Sequence, residues 1–555
     1  MSDVNIYALK ARLGPSDRTL PLKLNLPDSY RGTYILRLRH LHTIVWEKRF
    51  SARDSSDPCV IEIPNAQIHW PEHGGGLSIE LITDDGYSDR SAIDRHPGPV
   101  RYGFVSSFTQ SDAQNIKTVV ENLLKNHITH VQFYDWNYRG DQFRPPNGAE
   151  TYQDAMGKRV SLAVVRECID VFNQANMKSL GYGAVYAATK EYLAAHPEQG
   201  LYDIDGKPFD LIETFFIMNL DHEGWHRRIL EQYRYALDEV GFDGIHMDTY
   251  GYPKAGWGYR HDISKQRELI DLGPRFVSFI NEWGRSGSEN IFNNVNGWPV
   301  EETGRATQTA CYIEVWQPHI RYHHLQTLIA RAAGSGKPIV LAAYLSVFKH
   351  HAEADREGLL TAAKLLIASC ASLGAAVLLL GEQRALLTQP YYPDHITLSD
   401  SEAEQIRWYN DHLVRYTDLC FGHDMIDITV SHGVGANREF DFFLNPVSHD
   451  GESGTIWVVI KRSARRIVIH LINLLEQRDD LWDAVKTPCS ADASLVVHIP
   501  RYARVMEVYR DSPTDDIPLL QPLSQRSVEG IAGSMVEVTL ESIDLWTTLW
   551  VELDA

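Results

Sequence analysis

Cysteine is scarce and scattered. The six cysteines, at positions 59, 168, 311, 370, 420 and 489, form no CxxC or CxxxxH pattern. Neither a disulfide framework nor a zinc site is signalled, and the thiols read as small apolar packing residues. Basic residues are outnumbered: 53 Lys and Arg against 73 Asp and Glu leave a net charge of −20. That balance argues against a nucleic-acid partner, because phosphate binding needs a basic surface. No stretch of eighteen apolar residues exists, and the richest, 375–381, is only a strand's length, so no membrane span is expected. The first ten residues lack a basic region followed by an apolar one and are not a secretory signal. The expectation is a cytoplasmic protein, or a secreted one whose leader was removed before this numbering. Internal repeats and low-complexity tracts are absent too.

What is present is organised in three parts. A chain of 555 residues is too long for one core. Residues 1–97 alternate polar and apolar in short runs such as 33–38 and 77–82, the pattern of a small antiparallel β-sandwich. His96-Pro97-Gly98-Pro99 reads as a linker, since two prolines bar both helix and interior strand. Residues 98–440 change to strand, loop, helix. Candidate strands lie at 101–107, 130–136, 178–185, 215–220, 244–248, 291–296, 311–316, 338–344 and 375–381. Ile116, Val119, Val120, Leu123 and Leu124 recur at helical spacing, with Ser111 as the expected N-cap. This alternation points to a (β/α)8 barrel. Nine candidates compete for eight places, so either 101–107 or 215–220 lies outside the barrel. Residues 441–555 return to period 2, with strands expected at Ile456 to Ile460, Ile467 to Leu471, Leu495 to Ile499 and Met535 to Leu540. A second β-sandwich is expected there.

The stretch 241–251, Gly-Phe-Asp-Gly-Ile-His-Met-Asp-Thr-Tyr-Gly, carries the chemistry. A helical run from Glu223 to Val240 leads into it and Gly241 ends that helix. Ile245 and Met247 read as buried strand positions, and Asp248 falls where the strand runs out. Cys-Tyr-Ile-Glu-Val-Trp, 311–316, delivers Glu314 in the same way. Carboxylates at the C-terminal ends of barrel strands point into the mouth where barrel enzymes work. Two of them set among Trp and Tyr are what glycoside hydrolysis needs. Other strand ends add Asp135, Tyr186, Asn219 with Asp221, His246, Asn296, Trp316, Tyr344 and Glu382. A sugar offers hydroxyls to such carboxylates and amides, and an apolar face to such aromatics.

Plainer readings stand beside these. Asp243 is most simply a turn or supporting residue. Asp248 could cap a helix, Glu314 could be an ordinary exposed residue, and Trp136 could be core packing. Gly334-Ser335-Gly336-Lys337 is no phosphate loop, because Pro338 follows the lysine and Arg331 stands where the first glycine should be. His323-His324 and His350-His351-Ala352-Glu353 read as solvated helix faces, because adjacent histidines on a helix diverge. Asp203-Ile204-Asp205-Gly206 reads as a turn. No motif calls for a metal or a cofactor.

Together the motifs resemble glycoside hydrolase family 66, the dextranases and cycloisomaltooligosaccharide glucanotransferases. The matching segments are 101–105, 132–139, 241–248, 293–297, 314–316 and 390–393, in the same order and spacing. The resemblance implies an immunoglobulin-like domain before the barrel and a Greek-key β domain after it. It implies Asp248 as nucleophile, Glu314 as acid/base and Asp135 as the aspartate that holds the −1 glucose. It implies retention of configuration on α-1,6-linked glucans. The glucanotransferases of this family usually carry a carbohydrate-binding module inserted in the barrel, and no such insertion fits between the motifs here. That favours a plain endo-acting hydrolase on dextran or isomaltooligosaccharides over cyclising transfer. A catalytically silent glucan-binding protein would need neither Asp248 nor Glu314.

Further expectations follow. The two carboxyls should lie roughly 5–5.5 Å apart. Apolar Ile313, Val315 and Trp316, and the nearby Asp248, should raise the pKa of Glu314. Trp298, Trp316 and Tyr138 should serve as sugar platforms.

Overall fold

The computed structural model describes residues 5–27, 30–51, 59–71, 75–84, 86, 88–259, 266–349, 355–434, 438–489, 493–502, 506–515 and 520–553. His350 to Glu353 lie outside them. The N-terminal segment folds into two antiparallel sheets. One holds Asn5–Ala8, Thr19–Asn25 and Cys59–Pro64; the other holds Thr33–His40, Thr43–Ser51, Gly76–Thr83 and Ser88–Asp94. Alternate residues such as Ile6, Leu22, Leu36, Ile79 and Ile93 are buried and close one core between them.

Eight parallel strands form the central sheet: β1 (Tyr102–Val105), β2 (His130–Phe133), β3 (Lys178–Ala184), β4 (Gly244–Asp248), β5 (Glu289–Asn293), β6 (Ala310–Glu314), β7 (Ile339–Ala342) and β8 (Ala375–Leu378). Each neighbours the next in sequence. A parallel bridge from Phe104 to Gly381 draws the last strand back to the first. A Cβ on Gly381 would stand 2.3 Å from the Phe104 ring, so only glycine lets the barrel close there. Helices follow each strand: α1 (Ile116–Lys125), α2 (Leu162–Gln174), α3 (Glu223–Tyr235), α4 (Leu272–Gly284), α5 (Val300–Thr303), α6 (Tyr322–Ala333), α7 (Arg356–Leu373) and α8 (Asp400–Arg415).

The ninth candidate is resolved against 215–220. Phe215–Ile217 pairs antiparallel with Ala187–Ala188 and Asp210–Leu211 in a small sheet of its own. Its apolar run is strand-like, but it belongs to the excursion between β3 and α3. Ser111 does not cap α1. It precedes a 3-10 turn, Asp112–Asn115, and makes no capping bond; Thr109 and Asp112 brace that turn instead. Gly241 does end its helix, at φ 102°, after a π-turn over Ala236–Val240.

Strand period 2 sorts the barrel residues. Ile245, Met247, Phe292, Ile313 and Leu341 face outward into the cores beneath the helices. Tyr102, Leu180, Ile291, Tyr312, Val340 and Leu378 fill the interior with Tyr344 and Tyr392 from the loops. The C-terminal segment forms a six-stranded and a four-stranded sheet over one apolar core. Its strands include Ile456–Arg462, Arg466–Asn473, Leu495–Pro500 and Gly533–Leu540. Ile426–Asp427 pairs into the larger sheet, so that sheet draws a strand from before residue 441. Two residues are too few for alternation to reveal.

Among the described residues no helix is long and apolar enough to cross a membrane.

Candidate active site

Asp248 ends β4, Asn293 ends β5 and Glu314 ends β6. These strands are neighbours, and all three residues fall on inward positions. The middle residue is therefore placed to touch both carboxylates. Asn293 Nδ2 donates to Asp248 Oδ1 at 2.8 Å and to Glu314 Oε2 at 3.0 Å. The two bonds together cap the separation of those oxygens at about 6 Å.

The flanking strands complete the arrangement. Tyr182 of β3 donates its hydroxyl to Asp248 Oδ2 at 2.7 Å. Tyr344, two residues past β7, donates to Glu314 Oε1 at 2.9 Å. Under them lies a layer of rings. Tyr134 stacks on Tyr392 at 4.3 Å, Tyr312 packs edge-on against His246 at 4.9 Å, and Tyr102 lies 3.0 Å from His246 Nδ1.

This aromatic floor sets the electrostatics. Burial raises the Asp248 carboxyl to about 7, and the charge of Glu314 adds to the rise; Asn293, Tyr182 and the Thr249 amide oppose it. Glu314 is also raised by burial, against the donors Asn293, Trp316 and Tyr344. Strand alternation turns Ile313 and Val315 outward into the helix-side core, while the Glu314 side chain itself lies on the inward side beside Tyr344. His246, buried beneath the pair, is lowered to about 3 by burial and stays neutral.

The other sequence candidates divide by what they touch. Asp135 follows β2 at a left-handed φ of 49°. Burial raises its carboxyl to about 7, opposed by Lys158 and reinforced by Asp154. Trp316 stands 39% exposed, its ring 5.8 Å from Tyr344. Asn296 grips the loop that carries it, accepting from the Trp316 amide at 2.7 Å and donating to Gln317 O at 3.1 Å. Tyr186 and Asn219 are buried and bonded to protein groups: Tyr186 to the Tyr250 amide and Tyr252 O, Asn219 to Tyr259 O. Glu382 accepts four bonds from Ser106 and Ser107 at the barrel seam. Lys254 sits 4.0 Å over the Trp298 ring and Arg139 4.0 Å over that of Tyr138. Of the three expected platforms, Trp316 alone has no cation over its ring among the described contacts. Asp243 accepts from Lys178 and the Ser179 amide, the supporting role its turn suggested.

A family model described as Glycosyl hydrolase family 66 matches residues 92–550. The chain belongs to this family. A cycloisomaltooligosaccharide glucanotransferase of Niallia circulans is 29% identical over 44% of this chain and 28% of its own length. Another of the same description and organism is 21% identical over 99% of this chain and 72% of its own. A dextranase of Streptococcus salivarius is 20% identical over 82% of this chain and 64% of its own. The chain thus spans from about a quarter to about three quarters of these relatives. The longest alignment needs 716 positions to span 99% of this chain, so well over a hundred positions of that relative have no counterpart here. The crystal structure of a Paenibacillus cycloisomaltooligosaccharide glucanotransferase complexed with cycloisomaltoheptaose superposes with a TM-score of 0.87, at 20% identity and 99% coverage of both chains. That likeness establishes the fold.

Proposed function

We propose that the chain hydrolyses α-1,6-linked glucans, dextran or isomaltooligosaccharides, by an endo-acting retaining mechanism. The observation that carries this reading is the Asn293 amide, which holds Asp248 and Glu314 within about 6 Å. That span supports the close carboxyl spacing of a double displacement over the wider spacing at which an inverting enzyme holds its water. Asp248 attacks the anomeric carbon while Glu314 gives its proton to the departing O6. The C1–O6 bond breaks and an Asp248 ester forms. Esterification removes the Asp248 charge, so Glu314 stays ionised, takes a proton from water and directs the hydroxyl to the same carbon; the C1–Asp248 ester bond breaks, Asp248 leaves as the carboxylate and Glu314 is again protonated.

The mechanism needs one proton shared by two carboxyls. Their mutual proximity and burial favour that state, because two charges there would repel in a dry site. The substrate oxygen beside Glu314 would settle the proton on Glu314. Asp135 would hold hydroxyls of the −1 glucose, with Trp316 as a platform across the cleavage point. All these steps use side chains of the chain itself.

A second reading, cyclising transfer of the same intermediate to the substrate's own non-reducing end, is favoured by the description that two relatives and the superposed structure carry. The positions missing here relative to the longer glucanotransferase favour hydrolysis. Chromatography of products from dextran, isomaltoheptaose and a cyclic isomaltooligosaccharide separates them. Linear short products from all three support the hydrolase. Cyclic products from dextran would replace it with the transferase, and no turnover of any would sink both.

A further inference from the structure

Lys158 stands outside the Asp248–Glu314 pair, on the hairpin formed by Thr151–Gln153 and Arg159–Ser161. Its Nζ donates to Ser106 O at 2.6 Å and to Tyr134 O at 3.3 Å, and lies 3.9 Å from Asp154 Oδ2. Ser106 follows β1 and Tyr134 follows β2, so one ammonium ties two strand ends together. The same hairpin supplies Tyr152, whose hydroxyl donates to Trp136 O. The carbonyls on both sides of Asp135 are therefore held from one hairpin. Asp135 itself sits in the left-handed region, which a non-glycine residue keeps only when its surroundings over-determine it.

We propose that Lys158 is a positioning residue for Asp135: it fixes the turn that aims this carboxylate into the barrel mouth and supplies the counter-charge to it. The proposal rests on the sugar-binding role given to Asp135 above. The groups facing Asp135 are Lys158 and Asp154 from the hairpin and the phenols of Tyr134, Tyr182, Tyr250 and Tyr391. All four phenols are pushed above their ordinary range by burial, so they stay neutral near pH 7. Lys158 is the cation of the set. Burial lowers the pKa of the Lys158 ammonium, and Asp135, Asp154, Glu382 and Asp112 oppose that lowering. Burial already brings the Asp135 carboxyl to about 7 with Lys158 present. Removing the positive charge must raise it further and leave Asp135 protonated at neutral pH.

The test is a double-mutant cycle on kcat/KM with isomaltooligosaccharides between pH 5 and 9, after checking that each variant folds. Lys158→Met should lose about tenfold or more and move the acid limb up by roughly one pH unit. Lys158→Gln keeps donors for the two carbonyls without charge and should show the same pH shift with a smaller loss. Lys158→Arg should recover most of the activity. The double variant Lys158→Met/Asp135→Asn should be no worse than Asp135→Asn alone, because both changes remove one interaction. Additive losses with an unmoved acid limb in Lys158→Met and Lys158→Gln would overturn the proposal and leave the substrate reading intact. A wild-type chain inactive on isomaltooligosaccharides would overturn both.

Discussion

Tyr182 donates its hydroxyl to Asp248 Oδ2 at 2.7 Å, from the strand next to the one that carries the carboxylate. The bond favours the ionised form of Asp248, the form that can attack. A hydrogen bond to a charged group contributes about 1.5–3 kcal/mol. Tyr182→Phe should therefore lower kcat/KM by roughly ten- to a hundredfold and shift the acid limb of the rate profile upward. An unchanged profile measured from pH 4 to 9 would remove Tyr182 from the mechanism.

Asn293 has two carboxyl acceptors and so carries more. Asn293→Ala leaves Asp248 and Glu314 facing each other without their shared donor. Both carboxyls lose support for the ionised state, so kcat should fall by about a hundredfold or more with KM changed far less. Steady-state kinetics on isomaltoheptaose decide this. A rise in KM alone would mean that Asn293 binds sugar and does not organise the pair.

Burial of an ionisable pair also marks stability. Asp248 is raised to about 7 in the fold, chiefly by burial and then by Glu314, against about 4 unfolded. The native state thus holds the proton more tightly. Its contribution is fully present below pH 4 and is lost as pH rises toward 7. Asp248→Asn abolishes that loss, so the variant should melt at a higher temperature than wild type at pH 8, with the gap closing toward pH 4. Scanning calorimetry across this window checks it. A gap that widens on acidification would reverse the assignment.

The opposite sign applies at the junction of the N-terminal sandwich and the barrel. Arg101 chelates Asp94 at 2.7 and 2.9 Å, and Arg12 adds two bonds at 2.8 and 3.1 Å. Burial alone would push the Asp94 carboxyl up, but Arg101 and Arg12 overcome it and hold it well below the usual range. The stability this supplies is present above about pH 4 and is lost as pH falls through the depressed value. Arg101→Met leaves Asp94 with one partner and should cost about 3–5 kcal/mol. Urea unfolding at pH 7 measures that cost. Acid unfolding should also begin at a higher pH in the variant.

Much of this was legible in the chain. Asp248 and Glu314 stand at the ends of short apolar strands, and strand-end position is local information. The ninth strand was harder. Phe215-Phe216-Ile217 has strand composition, and only its antiparallel partners at 187–188 and 210–211 show that it leaves the barrel.

Within the site, period 2 tells inward from outward side chains. Asn296 was expected among the binding residues, yet the strand ends at Asn293, three positions earlier, and Asn293 makes the central bonds. Counting back two from Ala184 on β3 and from Glu314 on β6 points Tyr182 and Tyr312 inward. The same count turns Ile313 outward. Tyr392 comes from a loop after β8 and meets Tyr134 across the barrel. No local pattern encodes a contact across that sequence separation. Likewise Lys254 over Trp298 depends on how a loop settles, and sequence spacing is silent on it.

The central claim is that Asp248 attacks an α-1,6-linked glucose and Glu314 returns water to the same face. Proton NMR of the first products from isomaltoheptaose, recorded before mutarotation, tests it most directly. The new reducing ends should appear as the α anomer, as double displacement requires. Reducing ends that appear first as the β anomer would mean single displacement by water, and would contradict the role given to Asp248.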